Sequence, residues 1–287
     1  MNRQEKVAIA IMARDCEKSL KRNIPKIIKL TESFSDSKIC VIENDSSDNT
    51  KSVLAEWANN YSNVQIISLD NIFDTNDRNG AGISRIERMV FYRNKYLDFF
   101  YSCKIDFDFL FVIDIDIDDF DVTTIISSID EAPDNWNALF SNGCFYAKIF
   151  NHIINGRYYD SFAYLPYKSS VEDLIDEEFC INNDFLMKQL KQKEFVECDS
   201  AFAGIGIYKY KSLNNRMYLV EKNNRSLNHD IICEHIGFNR ISPNSNSVNY
   251  IVKRMTVLYE QRSLIEVLFR KIVSYRIIIA LKKIFRK

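Results

Sequence analysis

Five aspartates follow an apolar run near the middle of this chain and could bind a metal ion. The run at 107–113 is rich in Phe, Val and Ile, which is typical of a buried strand. Asp114, Asp116 and Asp118 alternate with isoleucines behind it, and on an extended chain they point to the same side. Like charges this close repel one another unless a cation neutralises them. The pattern therefore predicts a Mg²⁺ or Mn²⁺ site, of the kind that also holds substrate phosphates, at the carboxyl end of a strand.

The alternative is an acidic loop that caps the next helix. Asp119 and Asp121 continue the run, and an aspartate directly before a helix is a common cap. A cap needs one aspartate and this run holds five, so the metal site is the preferred interpretation.

The elements that must position these acids are predicted as alternating strands and helices. Strands are predicted at 7–13, 37–43, 64–69 and 107–113. Helices are predicted at 51–59, at 83–102 and from near Cys16, where Asp15 caps the helix and Pro25 interrupts it. This order predicts an α/β fold with a mostly parallel sheet and helices on both faces.

The second half is less regular. Strands are predicted at 138–145 and 197–208, a helix within 171–193, a strand or loop at 231–238, and a Tyr-rich binding loop at 146–170. We therefore expect one domain over 1–260, with a nucleotide-binding half at about 1–120 and an acceptor half at about 121–260. A tail at 261–287 follows it.

Composition and charge exclude several classes of protein. The seven cysteines are scattered and form no CxxC pair, which predicts reduced thiols in a cytoplasmic setting and neither a disulfide framework nor a zinc site. No basic stripe marks the body of the chain, so nucleic acid is excluded as a partner. The apolar run at 7–13 is too short for a signal peptide or a membrane span.

The carboxyl-terminal tail has the opposite charge from the rest of the chain. Residues 262–287 contain eight Lys or Arg and one Glu, a net charge of +7, so residues 1–261 carry −8. Apolar pairs alternate with these charges, and this basic amphipathic pattern predicts a helical tail that binds an anionic membrane surface. The expected location is peripheral, on the cytoplasmic face of the cell membrane. The alternative is a helix packed on the domain with a basic outer face.

Three motifs on this frame resemble those of one enzyme class. The segment Glu43-Asn44-Asp45-Ser46-Ser47-Asp48-Asn49-Thr50 resembles the Asp-Asp-Gly-Ser-x-Asp-x-Thr turn of family 2-type glycosyltransferases, which have the Rossmann-like GT-A fold. Asp114-Ile115-Asp116 resembles their DxD motif. The helix that contains Arg85 and Arg93-Asn94 resembles that of the CAP59-like capsule mannosyltransferase family of fungi and of the related Golgi mannan-polymerase subunits. Tyr158-Tyr159-Asp160, the segment 199–206 and Cys233-Glu234-His235 follow in the order expected of that family, so the resemblance covers roughly residues 7–240.

The resemblance implies a site for a nucleotide-diphosphate sugar. Glu43, at the end of a strand, would accept hydrogen bonds from the base or ribose, and Asp45 stands where the family often has Gly. Asp114 would contact the ribose or a metal-bound water. Arg85 and Arg93 are candidates to bind the diphosphate, because a guanidinium binds phosphate through two hydrogen bonds.

The resemblance also implies metal ligands and a catalytic carboxylate. Asp116 would bind Mn²⁺ or Mg²⁺ directly, Asp118 is a further candidate ligand, and His235 would supply an imidazole from the late part of the domain. An inverting enzyme needs a carboxylate base near the acceptor hydroxyl, whereas a retaining enzyme of the mannosyltransferase type has no obvious one, and both outcomes stay open. The candidates for that base are Asp160, Asp199, Asp230 and Glu234.

The expected function is therefore metal-dependent transfer of a hexose, as in mannosyltransferases, to a cell-surface polysaccharide or glycolipid such as capsule or lipopolysaccharide. A haloacid-dehalogenase-type phosphatase would carry its Asp pair on the first strand, whereas here three strands precede it. A sugar nucleotidyltransferase needs a Gly-rich loop after strand one, and Met12-Ala13-Arg14-Asp15-Cys16 contains no Gly. A non-catalytic scaffold subunit of a polysaccharide synthesis complex stays open as an alternative, and so does the sugar nucleotidyltransferase.

Overall fold

The fold was obtained as a computed structural model, which describes residues 3–73, 85–169, 176–222, 231–241, 245–273 and 277. The strands are β1 (Lys6–Ala13), β2 (Asp36–Glu43), β3 (Val64–Ser68), β4 (Phe109–Asp114), β5 (Asp119–Phe120), β6 (Trp136–Ile149), β7 (His152–Tyr158), β8 (Leu165–Pro166), β9 (Phe195–Ser200), β10 (Ile205–Lys209) and β11 (Val248–Gln261). The helices are α1 (Glu17–Thr31), α2 (Thr50–Asn60), α3 (Arg85–Ser102), α4 (Val122–Asp130), α5 (Asp176–Gln192), α6 (Tyr210–Leu213), α7 (Glu234–Asn239) and α8 (Leu264–Ile272).

The chain forms two compact units. The first unit comprises Met1–Asp116 and Gly204–Val220, and the second comprises Ile117–Ala203 and Glu221–Lys287. The segment 204–220 thus returns to the first unit from the far half of the sequence.

The first unit contains a sheet with the strand order β3-β2-β1-β4-β10. Its first four strands are parallel, and β10 is antiparallel to β4. Nearly every residue of β1 and β4 is buried, as expected for parallel strands covered on both faces. The predicted alternation of strands and helices and the mostly parallel sheet are confirmed here.

The start and course of α1 differ from the sequence prediction. Cys16, and not Asp15, is the residue that precedes the helix, because Asp15 adopts a left-handed backbone with φ 46°. Pro25 lies inside the helix and does not interrupt it. A proline removes one hydrogen bond from a helix, but α1 buries Leu20, Ile27 and Leu30 on both sides of that position, and this packing keeps the helix continuous.

The single strand predicted at 197–208 is two strands in different units. β9 ends at Ser200 and β10 begins at Ile205. Between them Ala203 and Gly204 have positive φ angles of 56° and 99°, a conformation that no strand can continue.

The second unit is built around β11, which the sequence analysis did not predict. β11 is parallel to β6 and antiparallel to β5 and β9. β7 pairs with β6, and β8 pairs with β9, so much of the predicted loop at 146–170 is sheet. The segment predicted as a strand or loop at 231–238 contains α7. The sequence analysis missed β11 because Lys253 and Arg254 interrupt its apolar residues. Its pairing with β6 also contains register shifts.

The helix α8 begins the predicted tail and packs on the second unit. Ser263 caps it by accepting a hydrogen bond from the backbone N–H of Glu266 at 3.2 Å, and Val267 is buried. The tail residues 274–276 and 278–287 lie outside the described part of the chain. Within the described part, no helix combines the length and the apolar character that a membrane crossing requires.

Candidate functional site

The loops that follow β1 and β2 are joined by hydrogen bonds. The carboxylate of Asp15 accepts from the backbone N–H of Ser47 at 2.7 Å, and the N–H of Cys16 donates to Oγ1 of Thr50 at 2.8 Å. Asp48 accepts from the N–H of Glu17 at 3.1 Å. The bond from Ser47 is the main cause that lowers the pKa of Asp15. These bonds fix the first turns of α1 and α2 against each other at the carboxyl edge of the sheet.

Glu43, the last residue of β2, is fully buried. One carboxylate oxygen accepts from the N–H of Ser46 at 3.0 Å and the other from the hydroxyl of Ser68. The ammonium group of Lys51 lies 3.9 Å from it. Glu43 therefore holds the turn after β2, and the acceptance by this carboxylate of a hydrogen bond from a base or ribose stays a prediction.

Asp45 occupies the position where the family 2-type glycosyltransferases often have Gly. The backbone conformation at this position suits both residue types. Its φ is 49°, in the left-handed region that Gly, Asn and Asp tolerate best. The N–H of Asp45 donates to Asp70 at 2.9 Å, and its carboxylate accepts from the N–H of Asn71 at 2.7 Å. Asp45 thus joins the turn after β2 to the segment after β3.

The acidic run is not extended, contrary to the sequence prediction. β4 ends at Asp114, and the next two residues form a turn, so the three carboxylates do not lie along one extended strand. The in–out alternation nevertheless persists, because Ile115 and Ile117 are buried while Asp116 is exposed. The side-chain amide of Asn23 on α1 donates to the carbonyl of Ile115 at 3.0 Å and holds the turn. Asp116 is therefore presented to solvent directly after the sheet edge.

Asp118 and Asp121 take structural roles in the second unit. The carboxylate of Asp118 accepts from the hydroxyl of Tyr146 at 3.2 Å and from the N–H of Gln261 at 3.1 Å. Asp121 precedes α4 and accepts from the N–H groups of Thr123 and Thr124, both at 3.1 Å. The capping alternative is confirmed for Asp121.

Of the two candidate arginines, α3 brings Arg93 to the acidic motif. Arg93 is only 6% exposed, and its guanidinium lies 3.7 Å from the carboxylate of Asp114. It also donates to the hydroxyl of Tyr96 at 3.3 Å and lies 5.6 Å from the ring centre of Tyr218. Arg85, the first residue of α3, is exposed.

The sequence analysis missed the residues that hold this arginine. The side chain of Asn94 donates to the carbonyl of Tyr218 at 3.0 Å and accepts from its N–H at 2.8 Å. The hydroxyl groups of Tyr96 and Tyr218 lie 3.2 Å apart. Asn94 stood in the quoted motif, but no local pattern could pair it with a residue 124 positions away.

His235 and Glu234 lie together on the first turn of α7 and are both buried. The imidazole of His235 stacks on the ring of Phe202, with centroids 4.0 Å apart and an interplanar angle of 15°. The nearest oxygen of Glu234 lies 3.9 Å from Nε2 of His235. The thiol of Cys233 donates to the other oxygen of Glu234 at 3.7 Å.

The other candidate bases lie around the end of β9. Asp160 accepts from the N–H of Ala203 at 3.0 Å and so supports the left-handed turn that ends the strand. Asp199 accepts from the N–H of Ser169 at 3.1 Å, and burial raises its pKa. The fourth candidate, Asp230, lies outside the described residues.

The donor chemistry of the acidic motif fits a hard divalent cation, since carboxylate oxygens are the ligands that Mg²⁺ and Mn²⁺ prefer. Asp114 and Asp116 belong to the first unit, whereas Asp118 and His235 belong to the second. Within the part of the chain that the structure describes, no three His, Cys, Asp or Glu side chains are gathered around one point. A ligand set of Asp116, Asp118 and His235 therefore stays a prediction.

Comparison with known proteins gives one family and several distant structural likenesses. A family model described as Cryptococcal mannosyltransferase 1 matches residues 6–226. No curated protein sequence matches the chain.

Solved structures similar to the chain include S. aureus TarS in complex with UDP-GlcNAc, with 13% identity, a TM-score of 0.46, and coverage of 90% of this chain and 59% of that one. The mannosyltransferase PcManGT from Pyrobaculum calidifontis, in complex with GDP-Man and Mn²⁺, shows 10% identity, a TM-score of 0.45, and coverage of 86% and 56%. Glucosyl-3-phosphoglycerate synthase from Mycobacterium tuberculosis, in complex with Mn²⁺, UDP and phosphoglyceric acid, shows 13% identity, a TM-score of 0.42, and coverage of 96% and 76%.

The chain spans less than three fifths of the length of the first two of these proteins. Likenesses at this level say nothing about substrate, and the evidence for the family is the family model.

Proposed function

Because the chain belongs to the glycosyltransferase family described as Cryptococcal mannosyltransferase 1, we propose that it is a metal-dependent transferase that moves a hexose from a nucleotide-diphosphate sugar to a glycan or glycolipid acceptor. Its α/β fold with a mostly parallel sheet is of the GT-A class. The matched region contains the turn after β2, the acidic motif after β4 and the helix α3 between them.

The observation that carries the proposal is the alignment of these motifs at one edge of the first unit's sheet. β2, β1 and β4 are neighbouring parallel strands, and their register pairs Ala13 with Glu43 and Met12 with Asp114. The turn after β2 and the acidic motif after β4 therefore begin at the same edge of the sheet, with only β1 between their two strands. Open α/β sheets bind ligands at this carboxyl edge.

Asp116 is the proposed direct ligand of Mn²⁺ or Mg²⁺, because it is exposed directly after this edge and carries a hard oxygen donor. A divalent ion bound there would neutralise the charge that develops on the departing nucleoside diphosphate. Arg93 lies beside Asp114 and can fix the orientation of that carboxylate. We also propose that Arg85 or Arg93 contacts the diphosphate. The proposed further metal ligands are Asp118 and His235.

Asp160, Asp199 and Glu234 are the proposed candidates for the base that activates the acceptor hydroxyl. Burial raises the pKa of Asp199, and a general base works best when its pKa lies closer to the working pH. This shift favours Asp199 among the three.

The proposed acceptor is a cell-surface polysaccharide or glycolipid under construction, as in capsule or lipopolysaccharide synthesis. The proposed location is peripheral, at the cytoplasmic face of the cell membrane. The net charge of +7 over residues 262–287 supports it, because anionic lipids attract basic segments.

A thermal-shift panel of UDP-, GDP- and CDP-sugars, each with and without Mn²⁺, tests the proposal. A ligand that binds the native state raises the unfolding midpoint by mass action, so a rise with one nucleotide that requires Mn²⁺ identifies the donor base. Slow release of free sugar from that donor would then distinguish an enzyme from a scaffold subunit. Pyrophosphate release from a sugar phosphate and a nucleoside triphosphate would instead indicate a nucleotidyltransferase.

Asp116→Asn tests the metal ligand, and Asp119→Asn is the matched control, because both residues are exposed members of the same acidic run. We expect D116N to keep the midpoint of the protein without ligand but to lose the Mn²⁺-dependent rise and at least about 100-fold of the transfer rate. D119N should keep both. Full transfer by D116N, or by the native protein in excess EDTA, would contradict the metal site.

A further inference from the structure

The helix α8 exposes an apolar face to water. Ile265 is 81% exposed, Phe269 is 44% exposed, and Leu268 lies beside them and is also exposed. At 100° per residue these three side chains fall within about 100° of one another. Such a stripe on a helix normally packs on the core of its own domain.

The core-facing side of α8 is a different side. Val267 is buried and lies about 150° around the helix from the centre of the exposed stripe. A Cβ added to Gly156 on β7 would meet Val267 at 3.5 Å, so the helix lies close against that strand. The packing of α8 on its own unit is therefore achieved without Ile265 or Phe269.

The carboxyl end of α8 is fixed by cations. The guanidinium of Arg157 on β7 donates to the carbonyls of Arg270 and Val273, the latter at 2.9 Å. The ammonium of Lys271 donates to the carbonyl of Asn155 at 3.2 Å. The two bonds from Arg157 satisfy carbonyls that the helix end leaves without partners, and the bond from Lys271 ties the helix to β7. The exposed stripe is thus presented on a helix whose position is determined by its other contacts.

A second exposed apolar side chain lies on the strand pair that supports α8. Phe150 is at the tip of the β6–β7 hairpin, directly after the last residue of β6, and is 91% exposed. Its φ is 50°, a left-handed conformation that is unfavourable for a bulky residue. Asn or Gly would fit this turn better. Both its backbone and its exposure make Phe150 costly for the isolated protein.

Positive charges near these exposed side chains indicate the kind of partner they bind. The segment 262–287 carries +7, and Lys148 and Lys271 are exposed next to the hairpin tip and on α8. Exposed apolar side chains flanked by cations match the boundary between the headgroups and acyl chains of an anionic bilayer.

We propose that Phe150, Ile265, Leu268 and Phe269 form a docking surface that inserts into an anionic phospholipid bilayer. This surface specifies which residues would contact the membrane in the proposed function. Its biological role rests on that function, but vesicle binding can be tested separately because it needs neither donor nor metal. The apolar side chains supply a part of the affinity that salt does not remove, and the basic segment supplies a part that salt screens.

The test is flotation of the full chain with vesicles of phosphatidylcholine alone and of phosphatidylcholine with phosphatidylglycerol, at low and high salt. The variants are Ile265→Gln with Phe269→Gln, and Phe150→Asn. The matched control is Leu219→Gln, since Leu219 is 61% exposed but belongs to the first unit. Thermal shift with the donor identified above is measured on every variant.

We expect native protein and L219Q to float with the anionic vesicles, and I265Q/F269Q to bind about tenfold or more weakly at either salt concentration. F150N should also bind more weakly while its unfolding midpoint rises by about 1–3 °C, because the strained turn is relieved. A structural role for Phe150 would lower the midpoint instead.

Three results would overturn the proposal. The first is that native protein does not float with anionic vesicles, and the second is that the variants float as well as native protein. The third is that native protein is a dimer and the α8 variants are monomers with unchanged flotation. Retained donor shifts in these cases would leave the proposed transferase standing. Lost donor shifts with intact flotation would overturn the transferase and leave the docking surface.

Discussion

At the residue scale, Arg93 shows how burial changes the meaning of a motif. The sequence indicated a cation for a diphosphate, whereas the structure surrounds its guanidinium with Asp114, Tyr96 and Tyr218. A buried cation beside a carboxylate contributes to the stability of the fold as well as to any ligand site.

We therefore expect Arg93→Met to lower the free energy of unfolding by about 2–3 kcal/mol, because it removes the cation beside Asp114 and the donor to the hydroxyl of Tyr96. Arg93→Lys keeps the charge but not the planar fork and should fall between native and R93M. Urea unfolding measures these values. Arg85→Met, at the exposed start of the same helix, should change stability by less than about 0.5 kcal/mol. Equal costs at both positions would contradict the buried pair.

Asp199 provides a prediction that depends on pH. Its folded-state pKa is raised by burial, so the ionised form costs stability, and this cost grows as the pH rises through the raised pKa. Asp199→Asn removes the charge and keeps an oxygen that can accept from Ser169. The variant should unfold at a higher temperature than native protein at neutral pH, and the difference should vanish near pH 3.

Calorimetric scans of D199N across that pH range decide the point, with Glu197→Gln, on the exposed face of the same strand, as the control. If Asp199 is the base, D199N also loses transfer while becoming more stable. A midpoint lower than native at neutral pH would show that the ionised carboxylate is required by the fold.

At the scale of elements, the acidic run contains the helix cap Asp121 and the proposed metal ligand Asp116, and one substitution series can separate these roles. Asp121→Ala should cost about 1 kcal/mol of stability, because the first turn of α4 loses an acceptor for two backbone N–H groups. Asp121→Asn keeps an acceptor and should cost a few tenths of that. Urea denaturation measures both variants. Neither should alter the Mn²⁺-dependent donor shift that D116N is expected to abolish, and loss of that shift in D121N would place Asp121 in the proposed metal site.

At the scale of the whole molecule, acid should weaken the loops at the sheet edge. The pKa of Asp15 is lowered by the N–H of Ser47, that of Asp48 by the hydroxyl of Thr50, and that of Asp70 by the ammonium of Lys51. A carboxylate whose folded-state pKa is lowered contributes stability that is present above its unfolded pKa. That contribution is lost as the pH falls through the folded value.

The free energy of unfolding should therefore decline as the pH falls below about 4. Asp15→Asn should show a flatter decline, since it has no charge to lose. Urea titrations at several pH values measure both slopes. Identical slopes for native and D15N would show that the ionised form of Asp15 contributes nothing to stability.

The sequence by itself determined the strands and helices of the first unit that lie before Asp116. Apolar runs, turn residues and helical periodicity are local signals, and they placed β1, β2, β3 and the helices between them to within a few residues. The resemblance of the three motifs led to the family, because each motif is short and continuous. The parallel sheet followed from the order of the elements.

The tertiary structure decided which side chains of the motifs are buried and hydrogen-bonded within the fold. Glu43 and Arg93 are polar residues in motifs, yet their burial follows from β3 and from Tyr218, which are distant in sequence. The return of β10 to β4 and the course of β11 depend on strand pairing across more than 90 residues, which no local pattern encodes. Pro25 stays helical for the same reason: packing of a whole helix face outweighs the preference of one residue.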